Sequence, residues 1–161
     1  MSLQPFTVSI PDSTLDDLKD RLARTRWPDE VLDSGWLYGT NLSYLQELTN
    51  YWANEFDWRK QEAYINTLPQ FTTEIDGIKI HFVHARSKQP GSTPLILTHG
   101  WPDSFYRYHK VIPMLTDVFD VVVPSMPGFG FSDRTALSSN AVADLWVKLM
   151  AALGYPRFIA E

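Results

Sequence analysis

The chain has 161 residues, a single domain at about 100–200 residues each. Its 44% apolar and 20% charged content is that of a soluble globular protein, which excludes a disordered or fibrous chain. Fourteen Lys and Arg against 19 Asp and Glu leave a net charge of −5 with no basic cluster, which argues against nucleic acid or anionic membrane as partners and suits a neutral or apolar ligand. With no cysteine, disulfide scaffolds, thiolate catalysis and cysteine-based zinc sites are excluded. The sequence shows neither a signal peptide nor an apolar run of membrane-spanning length, so it reads as cytoplasmic, with no membrane anchor. The unusual entry is aromatic: 6 Trp, 7 Tyr and 9 Phe make up 14% of the chain, suggesting large apolar faces or a site for apolar ligands.

Residues 1–70 read as helical and 71–161 as alternating strand and helix, two regions joined near Leu68-Pro69. Ile10-Pro11-Asp12-Ser13 precedes Leu15, Leu18 and Leu22 at helical spacing, with Ser13 and Asp16 placed like a capping box, and this helix is expected to stop at Trp27-Pro28. A linker with Gly35 and Gly39 leads to a helix over 43–55, whose Leu45, Leu48 and Trp52 form a stripe with Phe56. Such stripes are usually core. A short third helix is expected over 58–66. From Phe71 the period becomes that of strands. Segments 71–75 and 78–83 flank Asp76-Gly77, the two-residue signal for a type I′ hairpin. A strand over 95–98, a helix over 105–115, a strand over 120–124 and a helix over 140–153 follow, the last closed by Gly154, which can adopt a left-handed conformation. A strand begins at Arg157–Ala160. This alternation predicts an α/β fold with right-handed crossovers and a largely parallel sheet carrying an antiparallel edge.

Two loops lie just beyond the carboxyl ends of strands, where open α/β sheets place ligands. One is His99-Gly100-Trp101-Pro102. The other runs Pro124-Ser125-Met126-Pro127-Gly128-Phe129-Gly130-Phe131-Ser132. Residue by residue, the first is either a turn after a strand or the loop that, in α/β-hydrolases, donates one backbone N–H to an oxyanion hole. In the second reading Gly100 lets the backbone turn to the site, Pro102 fixes the turn, a cis bond being one way, and Trp101 is the donor through its main chain.

The paired motifs Thr98-His99-Gly100-Trp101-Pro102 and Pro124 to Ser132 resemble the signature loops of epoxide hydrolases of the microsomal type. Arg26-Trp27-Pro28, Tyr51-Trp52, Phe56-Asp57-Trp58-Arg59 and Ile80-His81-Phe82-Val83-His84 resemble that family's N-terminal segment, which wraps around its hydrolase domain. The resemblance runs from about Phe6 to Ala160. It implies an N-terminal helical segment, 1–70, followed by the first half of an α/β-hydrolase domain, 71–161. It also implies a reaction without cofactor or metal, on a small apolar epoxide. A carboxylate attacks an epoxide carbon, lid tyrosines protonate the opening oxygen, and a His–acid pair activates water to hydrolyse the alkyl-enzyme ester. His99, Gly100, Trp101 and Pro102 would form the oxyanion loop, with Trp101 and Phe129 at the substrate.

In this fold the chain order is nucleophile, acid, histidine, with the nucleophile on the turn after the fifth strand. All three are therefore expected beyond Glu161, and the 161 residues alone are expected to be inactive. Glu161 is a poor substitute, being at a strand end. His99 is expected to brace its loop, His81 and His84 to be surface or core residues rather than metal ligands, Asp103 to cap the next helix, and Asp133 to be a solvated turn residue. Phe131, like Phe129, either lines the cavity or packs under its loop. Two other readings stay open. The chain could be a non-catalytic binding or assembly module that complements a separate C-terminal half, or part of a dehalogenase-like hydrolase. A sheet cut at this point is expected to self-associate or to pair with that missing half.

Overall fold

A computed structural model describes residues 2–161. In chain order the elements are β1 (Gln4–Pro5), α1 (Asp12–Ala23), α2 (Leu42–Asn54), α3 (Trp58–Ile65), β2 (Gln70–Ile75), β3 (Ile78–Ala85), β4 (Thr93–Ile96), a 3-10 turn (Phe105–Tyr108), α4 (Ile112–Leu115), β5 (Phe119–Pro124), α5 (Ser139–Ala152) and β6 (Ile159–Ala160). They fall into two compact units. One is Ser9–Glu62; the other combines the residues up to Val8 with Ala63–Glu161.

The second unit is built on one sheet in the order β1-β2-β3-β5-β4-β6. Asp76 (φ 52°) and Gly77 (φ 77°) both take the positive φ that a type I′ turn needs, so Ile75 pairs with Ile78 and the hairpin register follows. The expectation of a largely parallel sheet is corrected. β4 runs parallel to β5 and to β6, but β3 continues the sheet by pairing antiparallel with β5, Phe82 opposite Pro124 and Ala85 opposite Val121. The hairpin, with β1, forms the antiparallel edge that the alternation predicts, and β3 is its seam with the parallel strands. β1, too short to show a period, adds antiparallel to β2.

Alternation on β2 and β3 points Ile75, Ile80 and Phe82 to one face, where Ile96, Val122 and the α5 residues Leu145, Trp146, Leu149 and Met150 complete a buried core. Each such side chain contributes about 1.5–3 kcal/mol by leaving water. α5 begins where the Ser138 hydroxyl accepts from the Ala141 N–H. It ends in a Schellman motif: Gly154 (φ 86°) donates to the Ala151 carbonyl and Tyr155 to that of Met150. The single helix expected over 105–115 is broken in two. Pro113 has no N–H to continue a helix from the preceding turn and instead sits in the first turn of α4.

The first unit, Ser9–Glu62, has no buried residue. Its order comes from caps and charge. Asn41 Oδ1 accepts from the Tyr44 N–H at the start of α2, and Glu30 accepts from the Leu42 N–H at 2.8 Å. The Glu62 carboxylate accepts from the Ile10 N–H (2.7 Å), Trp58 Nε1 (3.2 Å) and Arg59 (2.6 Å), while Arg59 also pairs with Asp12. The Ser13 capping box does not form. Pro11 (φ −58°) is the N-cap and offers its carbonyl to Thr14 and Leu15, which places Ser13 inside the helix. α1 also stops earlier than expected, at Ala23, where Thr25 Oγ1 satisfies the Leu22 carbonyl. The aromatic stripe of α2 is not core: Trp52 and Leu48 are each 46% exposed and line an open apolar groove of about 800 Å³ with Leu15, Leu18, Phe56 and Trp58.

Candidate active site

Because β4 and β5 are parallel neighbours, their carboxyl ends lie side by side, and the loops leaving them emerge together. The first loop is anchored at its base. Tyr108 O–H donates to the Thr98 carbonyl at 2.9 Å, and the Thr98 N–H donates to the Glu161 carbonyl at 2.8 Å. Gly100, Trp101 and Pro102 are exposed, Trp101 by 81%, and the Trp101-Pro102 bond is cis.

His99 ties the two loops together. It is 2% exposed; its Nε2 accepts from the Met126 N–H at 3.1 Å, which leaves the proton on Nδ1, and that N–H donates to the Gly100 carbonyl at 3.0 Å. The Gly100 carbonyl shares a planar trans peptide with the Trp101 N–H, so holding one end turns the other the opposite way. The half-buried Phe129 sets its ring edge-on to His99, with centroids 5.3 Å apart. Phe129 thus packs from one loop onto the brace of the other.

The second loop is fastened to β3 at both ends. Ser125 N–H donates to the His81 carbonyl (2.8 Å), and Asp133 exchanges backbone and side-chain bonds with Lys79, its N–H to the Lys79 carbonyl at 2.9 Å and its carboxylate from the Lys79 N–H at 2.8 Å. Asp133 is therefore a clamp as well as a half-exposed turn residue. His81 lies beneath the loop, fully buried, with Nδ1 at 2.9 Å from Ser125 Oγ and Nε2 at 3.1 Å from Gln70 Oε1. Burial pushes its pKa down to about 4. Phe131, which the sequence leaves between cavity and packing, packs: its ring centroid lies 5.2 Å from that of His81 and 5.1 Å from that of Phe6. A side chain at Gly130 (φ 51°) would be strained and would displace its neighbour, since a Cβ would stand 2.5 Å from Ser125 Oγ. Asp103 does not cap the following turn. Ser104 does, accepting from the Tyr106 N–H at 3.3 Å, while Asp103 pairs with Arg107 at 2.8 Å.

His84 serves the other end of the sheet. Tyr155 O–H donates to Asp120 at 3.0 Å and accepts from His84 Nε2 at 3.0 Å. Burial, then the nearby Arg86, lowers His84 to about 4, and burial with the Asp120 hydrogen bond raises Tyr155 to about 12. Burial alone would raise Asp120, but hydrogen bonds from Ser87, Tyr155 and Ser92 outweigh it and lower the carboxyl. Sequence reasoning did not find Gln70, Ser125 or the Met126 N–H. Ser125 and Met126 lie within the quoted motif, but the pairing of β3 with β5 sets His81 against Ser125 and that of β4 with β5 sets His99 against Met126, which no local pattern carries.

Residues 3–108 match the family model described as epoxide hydrolase N terminus. The chain belongs to the epoxide hydrolase N-terminus family. Residues 93–160 match the model of the alpha/beta hydrolase fold, which overlaps the region of the two loops. Epoxide hydrolase 1 of Oryctolagus cuniculus is 40% identical over 177 residues, covering 99% of this chain and 39% of its own length. Among solved structures, the epoxide hydrolase of Aspergillus niger superposes with a TM-score of 0.90 at 35% identity, covering 99% of this chain and 46% of its own. The juvenile hormone epoxide hydrolase of the silkworm Bombyx mori gives 0.89 at 34%, with the same two coverages. This chain therefore spans less than half the length of the relatives it matches, and within it the family's α/β-hydrolase architecture is intact from the hairpin through β6. Among the described residues no helix is long and apolar enough to cross a membrane.

Proposed function

We propose that this chain forms the oxyanion side of an epoxide hydrolase that converts small apolar epoxides to vicinal diols. In this reading a carboxylate supplied by chain outside these 161 residues attacks an epoxide carbon. The C–O bond opens, and the alkoxide takes a proton from an acid that the same outside chain provides. Water, deprotonated by a His–acid pair, then adds to the ester carbonyl. The oxyanion that forms accepts from the Trp101 N–H; its collapse expels the diol alkoxide, which takes the proton of the new carboxyl group and so restores the carboxylate, while the imidazolium proton returns to the acid that protonated the first alkoxide. Phe129 and the Trp101 ring border the substrate. The observation that carries the reading is the His99 bond to the Gly100 carbonyl, which orients the peptide whose other end is the Trp101 N–H.

The test is a chimera that continues this chain with the part of the rabbit relative beyond the match. Formation of diol from styrene oxide is expected, and a folded but inactive chimera overturns the reading. The 161 residues alone are expected to give no turnover. In the chimera Trp101→Ala keeps the main-chain donor, so it is expected to raise KM several-fold with ester hydrolysis intact; normal alkylation with no ester hydrolysis would contradict the donor assignment. The partner is the remaining chain of the enzyme. Among the described residues β6 pairs only with β4, and Ile159 is 48% exposed, so the outer edge of β6 is where a further strand adds. Light scattering of the isolated chain is expected to show self-association, and a clean monomer would argue against an accessible edge.

A further inference from the structure

We propose that His81 is a positioning residue for the Gly100–Trp101 peptide, passing a fixed hydrogen-bond direction through Ser125, Met126 and His99. The inference rests on the reading of the Trp101 N–H as the oxyanion donor.

The direction starts at Gln70. Its amide nitrogen donates to the Ile65 carbonyl at 3.0 Å, which turns Oε1 toward His81. An amide oxygen only accepts, so the His81 proton sits on Nε2, and Nδ1 must accept from the Ser125 hydroxyl. The ring cannot turn to an alternative. Phe6 and Phe105 meet it edge-on at 4.9 Å and Phe131 at 5.2 Å.

The direction then enters the loop backbone. The His81 N–H donates to Ser132 Oγ at 2.9 Å, so the Ser132 hydroxyl is left to donate to the Ser125 carbonyl at 2.7 Å. Ser125 is thereby held through its N–H, its hydroxyl and its carbonyl, the first two directly by His81 and the third through Ser132. Its carbonyl shares a planar peptide with the Met126 N–H, which is consequently aimed at His99 Nε2. That bond sets the His99 tautomer, and the Nδ1–H sets the Gly100 carbonyl. Two peptide planes and two imidazoles thus alternate from β3 to the exposed Trp101. A residue that only filled space at position 81 would keep the two main-chain bonds but would leave the Ser125 hydroxyl without its acceptor.

The test is NMR on the 161-residue chain. Long-range proton–nitrogen spectra are expected to show the His81 proton on Nε2 and the His99 proton on Nδ1. His81→Phe keeps the volume but not the acceptor; it should speed exchange of the Met126 amide at least tenfold relative to that of Val122, and should broaden the Trp101 amide. His81→Asn places an amide oxygen near the Nδ1 position and should hold the Met126 ratio within about twofold. Ile80→Val, a core change of one methylene, should leave the ratio unchanged. Should His81→Phe fail to fold, Ser125→Ala removes the same hydroxyl with little change in volume and should give the same signature. The proposal is overturned if the His81 proton sits on Nδ1, if Asn and Phe behave alike, or if Ser125→Ala leaves Met126 and Trp101 as they were. Loss of the donor reading alone would appear in the chimera's ester hydrolysis and would leave these spectra intact.

Discussion

The two units are ordered by different physics. Between Ser9 and Glu62 no side chain is buried, and the helices are held by Asn41, Glu30 and the Glu62 carboxylate with its three donors. In the sheet unit, β3 is buried on both faces from Ile80 to Ala85, and even its histidines are enclosed. Exposed hydrogen bonds and ion pairs contribute little each, whereas buried apolar area contributes steadily and resists change. Stability therefore resides in the sheet unit, and the helical unit offers an aromatic surface with little core of its own.

The sharpest way to break that contrast is Phe82→Ala, which empties the centre of the sheet core. It is expected to cost about 3–5 kcal/mol in denaturant unfolding, and a loss below about 1 kcal/mol would show that the core is not where stability lies. Acid should separate the units next. His81 and His84 are neutral in the fold, with pKa near 4 against an ordinary 6.5. Between those values the unfolded chain binds protons that the folded chain does not, so the sheet unit should lose stability as pH falls from about 6.5 toward 4. In the helical unit, hydrogen bonds from the Ile10 and Lys60 N–H groups hold Glu62 and Asp57 below the usual carboxylate range. Their contribution persists above the unfolded values and is lost only as pH falls through the folded ones. Hydrogen exchange followed down the pH scale should thus show β3 and β5 weakening before the ends of α3, and the reverse order would refute the scheme. Gly130→Ala should cost about 1–3 kcal/mol in the same unfolding assay, from the left-handed φ and the contact with Ser125 Oγ together. Trp52→Ala should be the mildest, within about 0.5–1 kcal/mol, because that ring is half in water already. A larger loss would reveal packing in the groove.

Much of this was legible in the residues. Asp76-Gly77 announces its turn because both positions need positive φ, and Gly154 announces the helix end for a related reason. The two loops were visible as motifs, and His99 as a brace. What escaped were features settled by distant partners. The antiparallel seam of β3 with β5 brings His81 under Ser125, 44 residues away, and no local period encodes that. The stripe on α2 has core periodicity, yet Trp52 and Leu48 stand open, because spacing tells which residues share a face and not whether anything covers it. Pro11 overrode the Ser13 cap for a local reason: its carbonyl, two residues upstream, accepts from the Thr14 and Leu15 N–H groups.

Tyr155 carries a consequence of its own. Its N–H closes α5 on the Met150 carbonyl, while its hydroxyl is held between Asp120 and His84. The distance in chain from the last turn of α5 to the next strand is therefore metered at both ends of a single residue. An insertion between Met150 and Tyr155 would have to give up either the helix closure or the hydroxyl's two partners. Length variation should accordingly be tolerated in the exposed stretch near Gln89 and excluded at Gly154.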